Sequence, residues 1–381
     1  MSKVPKLRFK EFSGEWEEKK LNDVGLITTG STPSTSISEY YGGERLFVSP
    51  VDIQGNRYIN KTKTTLTELG FSKGRKVVKD SVCFVCIGST IGKVAQLTED
   101  SLTNQQINCI TANNKNFNDF VYSLLELKAS KIKLLAGEQA LPQINKSDFS
   151  KLKFYLPSLQ EQEKIASFLI SIDTRIEQLT KKEELLQQYK KGVMQKIFNQ
   201  EIRFKDDDGS EFCDWEEKKL GDILDYIQPT KYLVKDTEYN DSYTIPVLTA
   251  GKTFILGYTN ETDGVFENNL PVIIFDDFTT ANKFVNFPFK AKSSAMKILV
   301  SKNNNIKFIY EAIQMIKYEV GGHERHWISK FSFLNIFIPC IEEQTKIANF
   351  LSSIDSKIEE VKKQLNSTKE FKKALLQQMF V

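Results

Sequence analysis

The feature that most constrains the fold of this 381-residue chain is that much of it is written twice. Trp16-Glu17-Glu18-Lys19-Lys20-Leu21 recurs letter for letter as Trp215-Glu216-Glu217-Lys218-Lys219-Leu220, and upstream Leu7-Arg8-Phe9-Lys10 is echoed by Ile202-Arg203-Phe204-Lys205. A longer repeat has a different offset. Pro157 to Leu169, with Glu161-Gln162, Ile165-Ala166 and Phe168-Leu169, is matched by Pro339 to Leu351, and Ser171-Ile172-Asp173 by Ser353-Ile354-Asp355. It closes with Phe198 against Phe380. A long-period repeat of this kind means duplicated structural units. The segments between, roughly 22–156 and 221–338, differ in length and letters, so variable and similar blocks alternate. The second similar block stops at Val381, and the continuation found after the first copy (Arg203-Phe204 to Trp215) sits at the N-terminus. If the two ends approach, the chain closes into a ring with approximate two-fold symmetry.

The similar blocks read as long helices. Gln160-Glu161-Gln162-Glu163 places acids in a first turn, where the helix dipole favours negative charge. Apolar residues follow at Ile165, Leu169, Ile172, Ile176, Leu179, Leu186, Val193 and Ile197, a heptad seam interrupted at Glu183 and Lys190. The second seam reads Ile347, Leu351, Ile354, Ile358, Val361, Leu365, Leu375 and Met379, with Thr368 as its weak point. About 38 residues at 1.5 Å each give a helix roughly 57 Å long. Neither stripe can be covered by its own block, so the two helices are expected to pack against each other, antiparallel, as a spacer.

The variable blocks read as strands bounded by Gly, Asn and Ser. They are Arg45–Val48, Val82–Ile87 and Ile107–Ile110 in the first, and Thr244–Leu248, Pro271–Phe275 and Met296–Val300 in the second. Each block then has one helix, about 116–134 and 303–319, a polar loop, and a last strand leading to Pro157 or Pro339. Gly137 to Phe149 aligns with Gly321 to Phe333. The expectation is an α+β chain: two β-rich domains (1–156 and 201–338) separated by two long antiparallel helices (157–200 and 339–381), pseudo-two-fold and circularly arranged.

An apolar share of 40% and a charged share of 27% are enough for a core and argue against disorder. The N-terminus carries no apolar run of signal-peptide type and no stretch approaches a membrane span, so the expected compartment is cytoplasmic, without a membrane partner. Five scattered cysteines fit that compartment, and Cys83 with Cys86 reads as part of a buried strand. The net charge of +3 says little, but its distribution says more. Arg57 to Lys79 holds seven basic residues against Glu68, and Lys283 to Lys307 holds six lysines and no acid. A charge run is usually a solvated face, whereas two in corresponding halves point toward a polyanion.

At this point a resemblance becomes specific and covers nearly the whole chain. Trp16 to Leu21, Gly30-Ser31-Thr32-Pro33-Ser34, Asn104-Gln105-Gln106 and the Pro-x-x-x-Glu-Gln-x-x-Ile-Ala-x-Phe-Leu blocks with their Ser-Ile-Asp resemble the specificity subunits of type I restriction–modification systems. The resemblance implies two target-recognition domains, each reading one half of an asymmetric bipartite site on double-stranded DNA. It implies, as partners, methyltransferase subunits, two of them, and restriction/translocase subunits. The complex would methylate adenine at N6 or cleave. No cofactor is expected in this chain; S-adenosylmethionine, ATP and magnesium belong to the partners. Ile227-Gln228-Pro229-Thr230 stands where Gly-x-Thr-Pro-Ser would fall in the second domain.

Two readers on a rigid spacer would face major grooves about one helical turn, roughly 34 Å, apart. Cationic side chains supply phosphate contacts, and amides, hydroxyls and Arg supply base-edge contacts. The DNA-binding candidates are Thr32, Ser34, Arg57, Lys73, Arg75, Ser89, Thr90, Lys93, Gln105 and Gln143 in the first block, and Lys252, Lys283, Lys292, Arg325, His326 and Trp327 in the second. The last picks rest on setting Pro142-Gln143 opposite His326-Trp327.

Catalytic motifs are not found. The ten prolines stand apart, excluding an Asn/Asp-Pro-Pro-Tyr/Phe amine-methylation motif. Gly88-Ser89-Thr90-Ile91-Gly92-Lys93 has P-loop letters at the wrong spacing, with Val94 where a magnesium-holding hydroxyl belongs, and reads better as a strand-to-turn segment. His323 and His326 lack zinc-site spacing, and Asp276-Asp277 reads as a strand-end turn. No catalytic or metal-binding residue is expected. The rival readings are a self-contained DNA methyltransferase or endonuclease, and a coiled-coil scaffold that does not bind DNA.

Overall fold

The computed structural model describes residues 3–137, 142–249, 251, 253–318 and 325–381. The chain divides into two compact units: Met1–Lys181 together with Lys362–Val381, and Lys182–Val361.

In the first unit β1 (Glu17–Lys20) is followed by β2 (Gly25–Thr29), β3 (Tyr41–Val48), β4 (Tyr58–Ile59), β5 (Thr64–Leu66), β6 (Val82–Val85), β7 (Val94–Leu97), β8 (Leu102–Thr103) and β9 (Ile107–Ala112). Then come the helix α1 (Asn118–Leu134), β10 (Lys153–Leu156) and the 40-residue helix α2 (Leu159–Phe198), of which residues up to Lys181 belong here. A five-stranded sheet runs β2-β9-β6-β7-β4, a three-stranded sheet β5-β3-β8, and β1 pairs antiparallel with β10. Every residue of β6 is buried, because alternate side chains serve two cores. Val82 and Phe84 pack with α1 and α2, while Cys83 and Val85 face Val48, Ile53 and Leu97.

The second unit repeats this construction. Its strands are β11 (Glu216–Lys219), β12 (Leu224–Ile227), β13 (Ile245–Leu248), β14 (Ile255–Thr259), β15 (Val272–Asp276), β16 (Asn282–Val285), β17 (Lys290–Ala291), β18 (Met296–Ser301) and β19 (Asn335–Ile338). Helix α3 (Ile306–Gln314) precedes β19, and the 39-residue α4 (Ile341–Met379) follows it. The sheets are β12-β18-β15-β16, β14-β13-β17 and β11-β19, matching the first unit strand for strand apart from the short β4. β15 also feeds two cores, Ile273 and Phe275 toward α3 and Val272 and Ile274 toward Phe266 and Phe289.

The repeated letters hold each unit together. Arg8 grips Glu161 through two hydrogen bonds of 2.8 Å, and Arg203 grips Glu343 at 2.9 and 2.8 Å. The Gln162 side chain accepts from the Phe117 N–H (3.0 Å) at the start of α1, and Gln344 accepts from the Asn305 N–H (2.9 Å) at the start of α3. Phe380 packs on Trp16 and Phe120 in one unit as Phe198 packs on Trp215 and Phe308 in the other.

The expected seams are used. Ile165, Leu169 and Ile172 at the start of α2 share a core with Leu375, Leu376 and Met379 at the end of α4, so the two helices run antiparallel there. In the second unit Ile347, Leu351, Ile354 and Ile358 share a core with Met194 and Ile197. Leu179 and Val361 are buried, and Ile176 is half-buried. The expected approach of the chain ends also holds within the first unit: the Leu7 N–H donates to the Gln378 carbonyl (2.9 Å) and Lys128 Nζ to the Val381 carbonyl (2.6 Å). The helix expected over about 303–319 is shorter, Ile306–Gln314. No helix among the described residues is long and apolar enough to cross a membrane.

Candidate nucleic-acid interface

In the first unit, loops from distant parts of the sequence join at one end of the sheets. The Gly30 N–H donates to the Ile107 carbonyl (3.0 Å) and the Ser31 N–H to Thr103 (2.8 Å). The approach is so close that a Cβ on Gly30 would lie 2.2 Å from the Asn104 oxygen, which only glycine permits. Arg75 is tied to the same loop: its N–H donates to Ser31 Oγ (2.7 Å) and its guanidinium to the Gly30 carbonyl (2.8 Å). Thr32 Oγ1 donates to Gln105 Oε1 (2.5 Å). From there the surface continues. The Cys86 N–H donates to the Gln106 carbonyl (2.8 Å), Ile144 N–H to Cys86 (2.8 Å), and Gly88 N–H to Pro142 (3.0 Å). Thr32, Ser34, Arg75, Ser89, Thr90, Lys93, Gln105 and Gln143 thus belong to adjoining loops, with Lys73 exposed on the turn before Arg75. Hydroxyls, amides and a guanidinium on one rim are what base-edge and phosphate recognition requires.

The equivalent rim of the second unit follows from the same backbone bonds. The Lys292 N–H donates to Leu248 (2.9 Å) where Asn104 donates to Val48 (2.7 Å), and His326 N–H to Asp277 (2.8 Å) where Ile144 donates to Cys86. The exposed residues there are Gln228, Thr230 and Lys231, Phe278 and Thr279 in the β15–β16 turn, Ser293 and Ser294, and Arg325. Lys292 is half-buried, its ammonium 5.9 Å from the Tyr239 ring. The serine pair and Lys231 escaped sequence reasoning, which had only their polarity to go on.

Several candidates are corrected. Arg57 is buried, held by Asp119, by Asp173 (2.9 Å) and by Gln96 Oε1 (3.1 and 3.0 Å). Burial opposes its charge, but the hydrogen bond to Asp173 and the nearby Asp119 hold its pKa above the ordinary arginine value. His326 and Trp327 are also interior. His326 Nδ1 lies 3.1 Å from the Tyr318 hydroxyl, and Trp327 packs edge-on to Phe275 while its N–H donates to Asp277 Oδ1 (2.8 Å). The register explains the error. Backbone bonding sets His326 opposite buried Ile144, so exposed Arg325 is the counterpart of Gln143, and buried Phe331 rather than exposed Phe333 is the counterpart of Phe149.

The basic runs also change meaning. Lys290 is buried against Glu261 (2.9 Å), Lys297 against Asp277 (3.7 Å), and Lys307 pairs with Glu311 (2.6 Å); Lys76 pairs with Asp100 (2.7 Å). Lys283 is exposed on the edge strand β16, outside the rim loops, and Lys252 lies outside the described residues.

Cys83 and Cys86 fit the strand reading: both are buried, and burial pushes the Cys86 thiol up to about 12. Asp276 ends β15, and its carboxylate holds the following turn, accepting from the Phe278 N–H (2.9 Å) and Thr279 Oγ1 (2.8 Å). Gly88 to Lys93 is the turn between β6 and β7.

The sequence matches the type I restriction modification DNA specificity domain twice, over residues 13–187 and 213–369. It is 50% identical over 164 residues to the type I restriction enzyme EcoR124I/EcoR124II specificity subunit of Escherichia coli, a match spanning 40% of this chain and 41% of that protein. It is 28% identical over 237 residues to the MjaIX specificity subunit of Methanocaldococcus jannaschii, covering 59% and 53%. The chain therefore spans about half the length of these two relatives or less. It is 25% identical to the MjaVIII specificity subunit of the same organism over 97% of this chain and 94% of that protein. In three dimensions, the type I restriction–modification S subunit from M. genitalium superposes with a TM-score of 0.70 at 18% identity, covering 99% of each chain, which is a likeness of fold. With its two matched segments covering most of its length, the chain belongs to the type I restriction modification DNA specificity domain family.

Proposed function

We propose that this protein is the DNA-recognition subunit of a type I restriction–modification enzyme, and that each unit reads one half of an asymmetric bipartite site. The observation that carries this reading is the pair of rims. The same strands and backbone hydrogen bonds present loops at the same place in each unit, with different side chains: Thr32, Arg75, Gln105 and Gln143 in one, Thr230, Ser293, Ser294 and Arg325 in the other. Two similar folds with unlike reading edges call for two unlike half-sites, in contrast to the palindrome a homodimer reads.

The chain directs chemistry performed elsewhere. Adenine-N6 methylation, cleavage, and the S-adenosylmethionine, ATP and magnesium they use reside on methyltransferase and restriction subunits. Two methyltransferase copies are favoured by a duplicated surface feature. Tyr189 on α2 and Phe371 on α4 occupy the same place in the repeat and are 53% and 54% exposed, apolar rings suited to being covered by a partner.

The test is to map adenine methylation in cells supplied with this chain and its partner methyltransferase, then again after exchanging residues 22–156 for those of another family member. The expected result is a gapped asymmetric motif of which one half changes. A continuous or palindromic motif, or methyl transfer by this chain alone, would refute the reading.

A further inference from the structure

The interruptions of the heptad seams have a structural role. Lys190 and Lys372 stand at seam positions of α2 and α4 and are each other's counterparts in the repeat, as are Asp173 and Asp355. In the first unit Lys372 Nζ lies 2.8 Å from Asp173 Oδ1, with Glu126 of α1 at 2.7 Å. In the second, Lys190 Nζ lies 2.7 Å from Asp355 Oδ1, with Glu311 of α3 at 3.0 Å.

Each aspartate also takes a second cation, and this one comes from the variable part of its own unit. Arg57, just before β4, donates to Asp173 Oδ2 (2.9 Å) and also holds Asp119 of α1 and Gln96 of β7. Lys307 of α3 lies 2.8 Å from Asp355 Oδ2 and 2.6 Å from Glu311. An equivalent tyrosine lies beneath each cluster, Tyr122 at 4.5 Å from the Arg57 guanidinium and Tyr310 at 5.2 Å from the Lys307 ammonium. The two units reach the same arrangement with unrelated residues, arginine from a loop in one and lysine from a helix in the other.

We propose that Asp173 and Asp355 are positioning residues for DNA recognition, each seating the recognition fold of its unit on the helix pair at one fixed register. The inference rests on the functional reading above. Apolar seam contacts are non-directional and tolerate small slides of a recognition fold along its helices. A part-buried carboxylate hydrogen-bonded to cations on two sides does not, and a polar residue at a seam position, here the Lys372 or Lys190 that each aspartate holds, is a known way to specify register at some loss of stability. Loosening either seat lets that reader shift, so the separation between half-sites that the complex accepts becomes less sharply defined. The bases read within each half remain the same, because the rim loops are untouched.

The experiment uses the complete complex of this chain with its methyltransferase partner. Methylation is measured on DNA sites whose half-sites are kept and whose gap is varied by one base pair at a time, for wild type, Asp173→Asn and Asp355→Asn. Wild type is expected to favour one gap length, and each variant to lose about tenfold in its preference for that gap over its neighbours, with half-site base preference unchanged. Asp173→Glu, which keeps the charge, is expected to restore most of the preference. A lowered thermal midpoint with an unchanged gap profile would overturn the proposal and leave the clusters as stability elements. Should Asp173→Asn fail to assemble, Arg57→Lys, which keeps the charge and loses the planar fork, is read in the same way. Absence of any sequence-specific methylation by the wild-type complex would instead count against the functional reading.

Discussion

Asp355 is bonded to two lysines, and the balance around it gives the second unit a defined response to pH. Burial disfavours its charge, but hydrogen bonds from Lys190 and Lys307 outweigh burial and hold the carboxyl below the usual aspartate range. Lys307 is shifted the other way: burial opposes its charge, and Glu311 and Asp355 together raise its pKa. A lowered acid pKa stabilises the fold above the unfolded value, near 3.9, and that contribution fades as pH falls through the folded value. A raised lysine pKa stabilises below about 10.4 and its contribution fades as pH rises beyond the folded value. The cluster therefore acts fully from about pH 4 to about pH 10. The difference in thermal midpoint between wild type and Asp355→Asn is expected to be flat from about pH 5 to 9 and to shrink below about pH 4; a difference that grew on acidification would contradict the assignment. Of these contacts only Lys307 with Glu311, four residues apart on one helix, follows from spacing. Lys307 reads as one more member of a basic run until the fold brings Asp355 to it, and Arg57 reads as a DNA ligand until Asp119 and Asp173 enclose it.

At the scale of elements, each long helix serves both units, its beginning in one and its end in the other. The terminal aromatic of each shows the dependence. Phe380 follows the end of α4 and packs on Trp16 and Phe120; Phe198 ends α2 and packs on Trp215 and Phe308. Phe380→Ala is expected to destabilise the first unit by about 3–5 kcal/mol, as for other buried phenylalanines. Phe198→Ala, on a half-buried ring, should weaken the second unit by less. Amide exchange read unit by unit checks both, with Phe380→Ala raising exchange in residues up to 181 and Phe198→Ala in residues 182–361. Loss of protection in the other unit alone would be contrary to the packing. The helices were legible in sequence because a 3.5-residue apolar period over five or more turns has few other solutions. The short strands β4, β8 and β17, two residues each, left no period to read.

For the molecule as a whole, the proposed division of labour between spacer and readers predicts what length changes do. Removing one matched heptad from the middle of α2 and of α4 is expected to change the number of unread base pairs in the methylated motif while both half-site sequences stay the same. A motif with altered bases and an unaltered gap would invert the assignment of roles. The amino-acid sequence by itself determined the duplication, the two amphipathic helices, the β-rich character of the variable blocks and the family, because repeats and periodicities are local and survive without coordinates. Tertiary structure alone decided which side chains face outward. His326 lies within a polar stretch and is interior, since its N–H continues a backbone ladder from Asp277, whereas Arg325 beside it stays on the rim. Setting Gln143 against Trp327 instead of Arg325 is a slip of two residues, and where a loop enters the short helix His326–Ser329 it exchanges a surface position for a core one. The duplication was therefore visible in the letters, and the reading edge depended on long-range hydrogen bonds and ion pairs that sequence spacing does not encode.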